Sequence, residues 1–152
     1  MKIDIKKLVF YILITIGIGS LPALFVDFNK YKDILKPPFS PPGFIFPIIW
    51  TILFILMGIS IYRVVMTNNY EIDSIKIIYY AQLIINALWT PIFFELNSYL
   101  LSFIWLLLLL ILVIILSIKI ISIDKVSFYL LIPYIIWLLF AGYLNLGIYI
   151  LN

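Results

Sequence analysis

The sequence contains neither cysteine nor histidine. Without cysteine there are no disulfides, no thiolate nucleophile and no thiolate metal ligand. Without histidine the chain lacks the commonest metal ligand and the usual general base near neutral pH. These absences exclude zinc, iron–sulfur and histidine-ligated haem sites. We therefore expect no metal and no resident cofactor, and no dedicated catalytic acid or base.

Charged residues are also scarce. They make up 11% of the 152 residues, whereas 66% are apolar and 18% are aromatic. A soluble domain carries roughly 25% charged residues. So little polar surface does not cover a water-soluble globule, and the composition therefore indicates an integral membrane protein. The net charge of +3 is small, and no long basic patch exists, so nucleic acid is not an expected partner.

Five apolar segments are long enough to cross a bilayer, which takes about 20 residues per helix. They predict an all-α fold with a single transmembrane domain over residues 1–152 and helices at about 8–25, 44–66, 77–96, 99–121 and 128–151. The first segment lacks an A-x-A cleavage site and is predicted to be a retained helix. The last three connections are short and predict antiparallel neighbours.

The connection between the first two helices is long. Residues 26–43 contain four prolines, Pro37, Pro38, Pro41 and Pro42, and most loops in compact folds have only about 4–6 residues. The prolines and the aromatic residues of this segment predict a stiff loop that packs as a lid on one end of the bundle.

Lysine and arginine counts predict the orientation in the cell membrane. The side that holds the N-terminus carries seven basic residues and the other side three, all within the long loop. This distribution places the N-terminus in the cytoplasm and loop 26–43 outside. All seven acidic residues lie at termini, in loops or at helix ends, so neither a carboxylate proton relay nor a charged ion filter is expected.

Neutral polar and aromatic residues share faces of the predicted helices. The second helix carries Trp50 and Phe54, the third carries Asn86, Trp89, Thr90 and Phe93, and the fifth carries Tyr134, Trp137, Ala141 and Asn145. Such faces suit a pocket for a flat, mostly apolar ligand. The alternative, that tryptophan and tyrosine form interfacial belts and asparagine joins helices, stays open.

Several ordered blocks resemble one known family. They are Tyr31-x-x-x-Leu35-Lys36-Pro37-Pro38-Phe39-x-Pro41-Pro42-Gly43, Gln82-Leu83-x-x-Asn86-x-x-Trp89-x-x-x-Phe93-Phe94, and Ile132-Pro133-Tyr134-x-x-Trp137-x-x-Phe140-Ala141-x-x-Leu144-Asn145. In this order the chain is similar to the TspO/MBR family, the tryptophan-rich sensory proteins and translocator proteins, whose animal members were called peripheral benzodiazepine receptors. The likeness covers essentially the whole chain.

The resemblance implies a five-helix bundle, usually a homodimer, with a pocket beneath the first loop. Family members bind porphyrins and synthetic isoquinoline or benzodiazepine-type ligands there. Carried over by motif position, the pocket would be lined by Tyr31, Pro41, Trp50, Phe54, Asn86, Trp89, Trp137 and Ala141.

Three functions remain open from the sequence. The first is a membrane protein that binds porphyrins, with protoporphyrin IX as the expected ligand, and acts in their transport or sensing. Its ring would stack on tryptophan, and its propionates would lie near Lys30, Lys32 or Lys36. The second is light-driven porphyrin breakdown with Trp50 or Trp137 as electron donor. The third is a structural or regulatory partner of other membrane proteins.

Overall fold

The computed structural model describes residues 3–152 and is helical nearly throughout. Helix α1 spans Ile5–Ser20 and continues as a 3₁₀ helix, Leu21–Phe25. The other helices are α2 (Lys30–Asp33), α3 (Ile45–Met66), α4 (Ile72–Phe94), α5 (Tyr99–Ile121) and α6 (Lys125–Leu151). Among these described residues, five helices are long and apolar enough to cross a membrane, counting α1 with its 3₁₀ extension. The predicted all-α membrane bundle is thereby confirmed.

Several helices begin before the apolar runs that predicted them. Helix α4 starts at Ile72 rather than near residue 77, and α6 starts at Lys125 rather than 128. For α6 the reason is capping: the Asp124 carboxylate accepts a hydrogen bond from the Ser127 amide, which satisfies one of the free amides of a first turn. Charged residues lie in the first turns of both helices, Asp73 in α4 and Lys125 in α6, and hydropathy alone misses them.

The spanning helices form a closed ring in the order α1, α3, α6, α5, α4. Extensive contacts join α5 to both α4 and α6, as their short connections predict, whereas α3 and α4 touch only slightly despite theirs. We call the end of the ring where residues 26–44 lie the loop end, and the end near Asp4 and Asp124 the N-terminal end.

Helices α1 and α3 approach each other closely at Gly58. A Cβ atom built on Gly58 would lie 2.6 Å from Ile12 Cα and 3.0 Å from the Tyr11 carbonyl oxygen. Only glycine allows this distance between the two backbones, as is common where helices pack in membranes. On its other side α1 is joined to α4 by a buried hydrogen bond between the Thr15 and Tyr79 hydroxyls.

Polar contacts join α3 to α6 at the N-terminal end. The Ser60 hydroxyl donates to the Ser127 carbonyl at 2.9 Å, and the Ser127 hydroxyl lies 3.1 Å from the Ser60 carbonyl. One turn further, Arg63 Nε and Nη2 donate to the two carboxylate oxygens of Asp124 at 2.8 and 3.0 Å. This two-point ion pair is mostly shielded from solvent, with 29% and 17% of the side chains exposed.

Because of the Arg63–Asp124 pair, the free energy of unfolding of the bundle depends on pH in the acid range. Chiefly through the hydrogen bonds from Arg63, the pKa of the Asp124 carboxyl is lowered to about 2. A carboxyl whose pKa is lowered by folding stabilises the protein above its unfolded pKa, and this contribution is lost as the pH falls through the folded pKa. The loss therefore lies between about pH 4 and pH 2.

We predict that Asp124→Asn lowers the free energy of unfolding by about 2 kcal/mol at pH 7, because asparagine keeps the cap but loses the charge. The difference should shrink between pH 4 and pH 2, where the wild-type carboxyl takes up its proton. Unfolding in mixed detergent micelles at several pH values measures it. Asp73→Asn, at an exposed position in the first turn of α4, is the control and should change little. Equal destabilisation at pH 7 and pH 2 would contradict the assignment.

Candidate functional site

A cluster of aromatic rings lies between α3 and α6 in the half of the bundle nearer the loop. Trp50 is at its centre: its ring stacks on Phe54, with centroids 5.4 Å apart. It meets Tyr134 and Trp137 edge to face at 6.1 and 6.4 Å. Phe46 extends the cluster toward the loop, 5.9 Å from Trp137. Such edge-to-face geometry is the favoured arrangement of aromatic pairs.

The loop adds Tyr31 to this aromatic cluster. The Tyr31 ring lies edge to face against Phe46 at 5.3 Å, and its hydroxyl donates to the Pro41 carbonyl at 3.2 Å. Lys36 Nζ sits 4.7 Å from the centroid of the same ring, within the range of a cation–π contact. Burial raises the pKa of the Tyr31 phenol, so the ring is neutral at physiological pH and Lys36 is the charged group here.

Behind the aromatic cluster lies a buried group of neutral polar side chains. Asn86 Nδ2 donates to the Tyr134 hydroxyl at 2.7 Å, and that hydroxyl donates to Gln82 Oε1 at 3.0 Å. Two donors remain unused: Gln82 Nε2 and Trp137 Nε1 are buried and have no hydrogen-bond partner within residues 3–152. A buried polar group left unpaired costs about 1–3 kcal/mol, so an acceptor supplied by a ligand or a water molecule would stabilise this region.

Trp89 belongs to a second group at the loop end. Its ring stacks on Phe93 with centroids 4.9 Å apart. Its Nε1 donates to Asn145 Oδ1 at 3.0 Å, and Asn145 Nδ2 donates in turn to the Tyr99 carbonyl at 2.8 Å. Trp89 therefore joins α4 to α6 and, through Asn145, to α5, and its indole N–H already has a hydrogen-bond acceptor.

The eight residues predicted from the sequence thus fall into several neighbouring groups. Trp50, Phe54 and Trp137 form the aromatic cluster, and Tyr31 with Pro41 covers it from the loop. Asn86 reaches the cluster through Tyr134, and Trp89 lies in the second group. Ala141 packs against the same hydrophobic core as Trp50 and Trp89. Their role in ligand binding stays a prediction.

Four further residues take part in these contacts but were not among the eight: Phe46, Gln82, Tyr134 and Asn145. Each stands in or beside a motif already quoted. Gln82 and Asn86 lie four residues apart, as do Phe46 and Trp50, and this spacing places each pair on one helix face. That periodicity was the available signal for Gln82 and Phe46, and the face predicted for the fifth helix already contained Tyr134 and Asn145.

A groove opens from the aromatic cluster to the side of the bundle, between α3 and α6. It encloses about 490 Å³ and reaches Trp137, and its other lining residues are Ile49, Ile52, Leu53, Pro133, Ile136 and Phe140. Every one of these is apolar or aromatic. Exposed apolar side chains of both helices, Ile52 and Ile136 among them, flank the groove, as suits a surface in contact with the hydrocarbon of a membrane.

The loop is fastened to the end of α6 by polar contacts. The Leu35 amide donates to Asn152 Oδ1 at 3.1 Å, and Asn152 Nδ2 donates to the Leu35 carbonyl at 2.9 Å. The Tyr143 hydroxyl donates to the Pro38 carbonyl at 2.9 Å. We call these two contacts the loop latch. Between them Pro37 is buried, so the loop closes this end of the bundle.

Comparison with known proteins identifies relatives across nearly the full length. The profile described as the TspO/MBR family matches residues 10–151. The tryptophan-rich protein TspO of Archaeoglobus fulgidus is 37% identical over 153 residues, covering 98% of this chain and 99% of that protein. Protein CrtK of Rhodobacter capsulatus is 35% identical over 136 residues, covering 88% and 85%.

The similarity extends to animal proteins. The translocator protein of Bos taurus is 30% identical over 121 residues, which cover 78% of this chain and 72% of the bovine one. The resemblance seen in the sequence motifs is confirmed by these matches and by the five spanning helices. The chain belongs to the TspO/MBR family of membrane proteins.

Proposed function

We propose that this protein binds porphyrins, with protoporphyrin IX as the reference ligand, and acts in their transport or sensing within the membrane. The observation that carries the proposal is the aromatic cluster centred on Trp50. The names of two relatives, tryptophan-rich sensory protein and translocator protein, agree with sensing or transport, and the aromatic cluster suits a planar ligand.

The aromatic cluster suits a flat, mostly apolar ring system. Trp50 and Trp137 stand at 89° to one another, so a planar ligand that stacks on one indole meets the edge of the other. Ring faces and edges carry opposite partial charge, and both contacts are then favourable. Benzodiazepine and isoquinoline ligands, which are smaller and also aromatic, would use the same rings.

The carboxylates of a porphyrin need a cation at one edge of the site, and Lys36 is the best placed. Its ammonium lies beside Tyr31 and donates to the Ile34 carbonyl at 2.8 Å. Lys30 is instead engaged with the Phe94 carbonyl and lies 3.5 Å from a Glu95 oxygen. Lys32 is exposed. A propionate near Tyr31 would therefore meet Lys36.

Tryptophan fluorescence tests the aromatic cluster. Protoporphyrin IX should quench it with a micromolar dissociation constant, and Trp137→Leu should weaken binding by roughly 1–3 kcal/mol through lost stacking. The control is Trp105→Leu, which also removes one of the four tryptophans. Its indole donates to the Ile85 carbonyl at 2.8 Å on another side of the bundle, and binding should be retained. Equal affinity in folded Trp137→Leu protein would refute the site.

Illumination of the same samples addresses the enzymatic alternative. Binding alone leaves the Soret absorption band of the porphyrin intact. Light-dependent bleaching would instead indicate breakdown of the ligand. If it is lost in Trp137→Leu protein that is saturated with the porphyrin, Trp137 is the electron donor, and if it persists there, Trp50 is the remaining candidate.

Lys36→Met should weaken binding of protoporphyrin IX by roughly 1 kcal/mol, about fivefold, because a half-exposed ion pair contributes little more than that. Binding of the dimethyl ester of the porphyrin, which has no carboxylate, should not change. Lys32→Met removes the same charge at an exposed position of the loop and is the matched control. If Lys36→Met lowers the affinity for protoporphyrin IX and for its dimethyl ester equally, Lys36 supports the loop and does not bind the propionate.

We also propose that the loop end faces the outside of the cell, from the excess of basic residues at the other end. Single cysteines test this in a chain that has none. Phe39 in the loop and Tyr70 between α3 and α4 are 88% and 92% exposed at opposite ends of α3. An impermeant maleimide applied to intact cells should label Phe39→Cys and spare Tyr70→Cys. The reverse labelling pattern would invert the orientation.

A further inference from the structure

Helices α3 and α6 are held together differently at their two ends. At the N-terminal end they are joined by the hydrogen bond from the Ser60 hydroxyl to the Ser127 carbonyl and by the Arg63–Asp124 ion pair. In the half nearer the loop, no hydrogen bond joins these two helices in the part of the chain that the structure describes. There the contact consists of aromatic rings and aliphatic side chains, with Trp50 against α6.

The groove described above lies along this apolar half. Its walls include Ile52 of α3 and Ile136 of α6, which are 53% and 61% exposed, and Trp137 of the aromatic cluster lines it as well. A volume of about 490 Å³ is within the range of small-molecule sites. The aromatic cluster therefore borders the groove through Trp137, and the groove is flanked by aliphatic side chains exposed on the outer surface of the bundle.

The loop end offers a more obstructed path to the same cluster. Passage there would break the hydrogen bonds of the loop latch and expose Pro37, which is buried. It would also separate Tyr31 from Phe46, whose rings touch above Trp50 and Trp137. Along the groove no polar contact has to break, because aliphatic side chains give up protein contacts for equally apolar lipid or ligand.

From this asymmetry we propose that an apolar planar ligand dissolved in the bilayer enters the aromatic cluster sideways, through the groove between α3 and α6, while the loop stays latched. The route rests on the proposed function. The Ser60–Ser127 and Arg63–Asp124 contacts keep the helices together at the N-terminal end, so the two helices separate only in the half nearer the loop.

Pro133 favours this movement. It lies inside α6 and lines the groove. A proline has no amide hydrogen, so the Tyr129 carbonyl one turn earlier lacks its helical donor, and helices bend at such positions. The part of α6 beyond Pro133, which carries Trp137, is therefore able to tilt relative to the part that is fixed at Ser127.

The chemistry of the ligand follows from the route. A molecule that uses it has a flat apolar body that dissolves in hydrocarbon and charged groups, if any, along one edge. The charged edge stays at the level of the headgroups while the body slides between the helices. Protoporphyrin IX has this character, with both propionates on one edge, and Lys36 lies at the loop end where they would arrive.

Two reversible cross-links distinguish the routes, since the chain contains no cysteine. Ile52→Cys with Ile136→Cys places one thiol on each wall of the groove. Leu35→Cys with Asn152→Cys places one on each side of the loop latch. Each pair is joined by a short bis-methanethiosulfonate reagent in protein reconstituted in lipid vesicles. Protoporphyrin IX is then added, and its association and release are followed by tryptophan quenching before and after reduction.

The groove cross-link should slow both association and release by at least about tenfold, leaving the dissociation constant within about twofold, as expected for a blocked path to an intact site. Reduction should restore both rates. The loop cross-link should leave both rates within about twofold. The reverse pattern, or no effect of the groove cross-link, would overturn the route and leave the groove as a lipid-filled surface.

Two other results have distinct meanings. A groove cross-link that slows association but not release would mark damage to the site and would also contradict the route. If the reduced proteins do not bind protoporphyrin IX at all, the proposed function itself fails, and the route fails with it. Normal affinity in the reduced proteins with a wrong cross-linking pattern rejects the route alone.

Discussion

Hydrocarbon offers a protein no hydrogen bonds, so each polar group inside this bundle depends on another group of the same chain. The pairs are specific: serine with serine carbonyls between α3 and α6, threonine with tyrosine between α1 and α4, and Tyr134 between Asn86 and Gln82. Each pair joins two different helices. The ring order of the helices is thus stabilised by the few polar residues that the apolar sequence contains.

The contact between α3 and α6 has two halves with different properties. At the N-terminal end it is directional and partly ionic, and it holds the two backbones in a fixed arrangement. Toward the loop it is made by rings and aliphatic chains, which exchange partners at low cost. The two unpaired donors, Gln82 Nε2 and Trp137 Nε1, lie among the buried residues. A binding site is best placed where the protein leaves hydrogen-bonding capacity unused.

Much of the fold was predictable because each membrane-spanning helix needs about 20 consecutive, mostly apolar residues, and such runs are visible in the sequence. The five segments are long, and α5 in particular matches its predicted bounds. The starts of α4 and α6 were missed because their first turns contain charged residues, which lie outside the hydropathy signal. The ring order was not predictable either: α3 neighbours α6, and has little contact with α4, because of packing between distant residues that no local pattern encodes.

The candidate site was partly accessible from helical spacing. Trp50 and Phe54 were placed on one face, and they stack. Spacing also grouped Asn86 with Trp89, yet these two side chains contact different partners, Tyr134 and Asn145. Helical periodicity predicts the face of the helix on which a side chain lies. The residue that the side chain contacts depends on which neighbouring helix packs there and on which of its residues lies at the same depth in the membrane.

The absent side chain at Gly58 has a consequence for how the bundle can deform. At this point backbone lies against backbone, and no side chain stands between α1 and α3 that could shear. When the part of α6 beyond Pro133 tilts, α1 and α3 therefore keep their mutual arrangement. The distance between their loop-end termini, Phe25 and Ile45, then stays the same, and the segment that links these termini is neither stretched nor slackened.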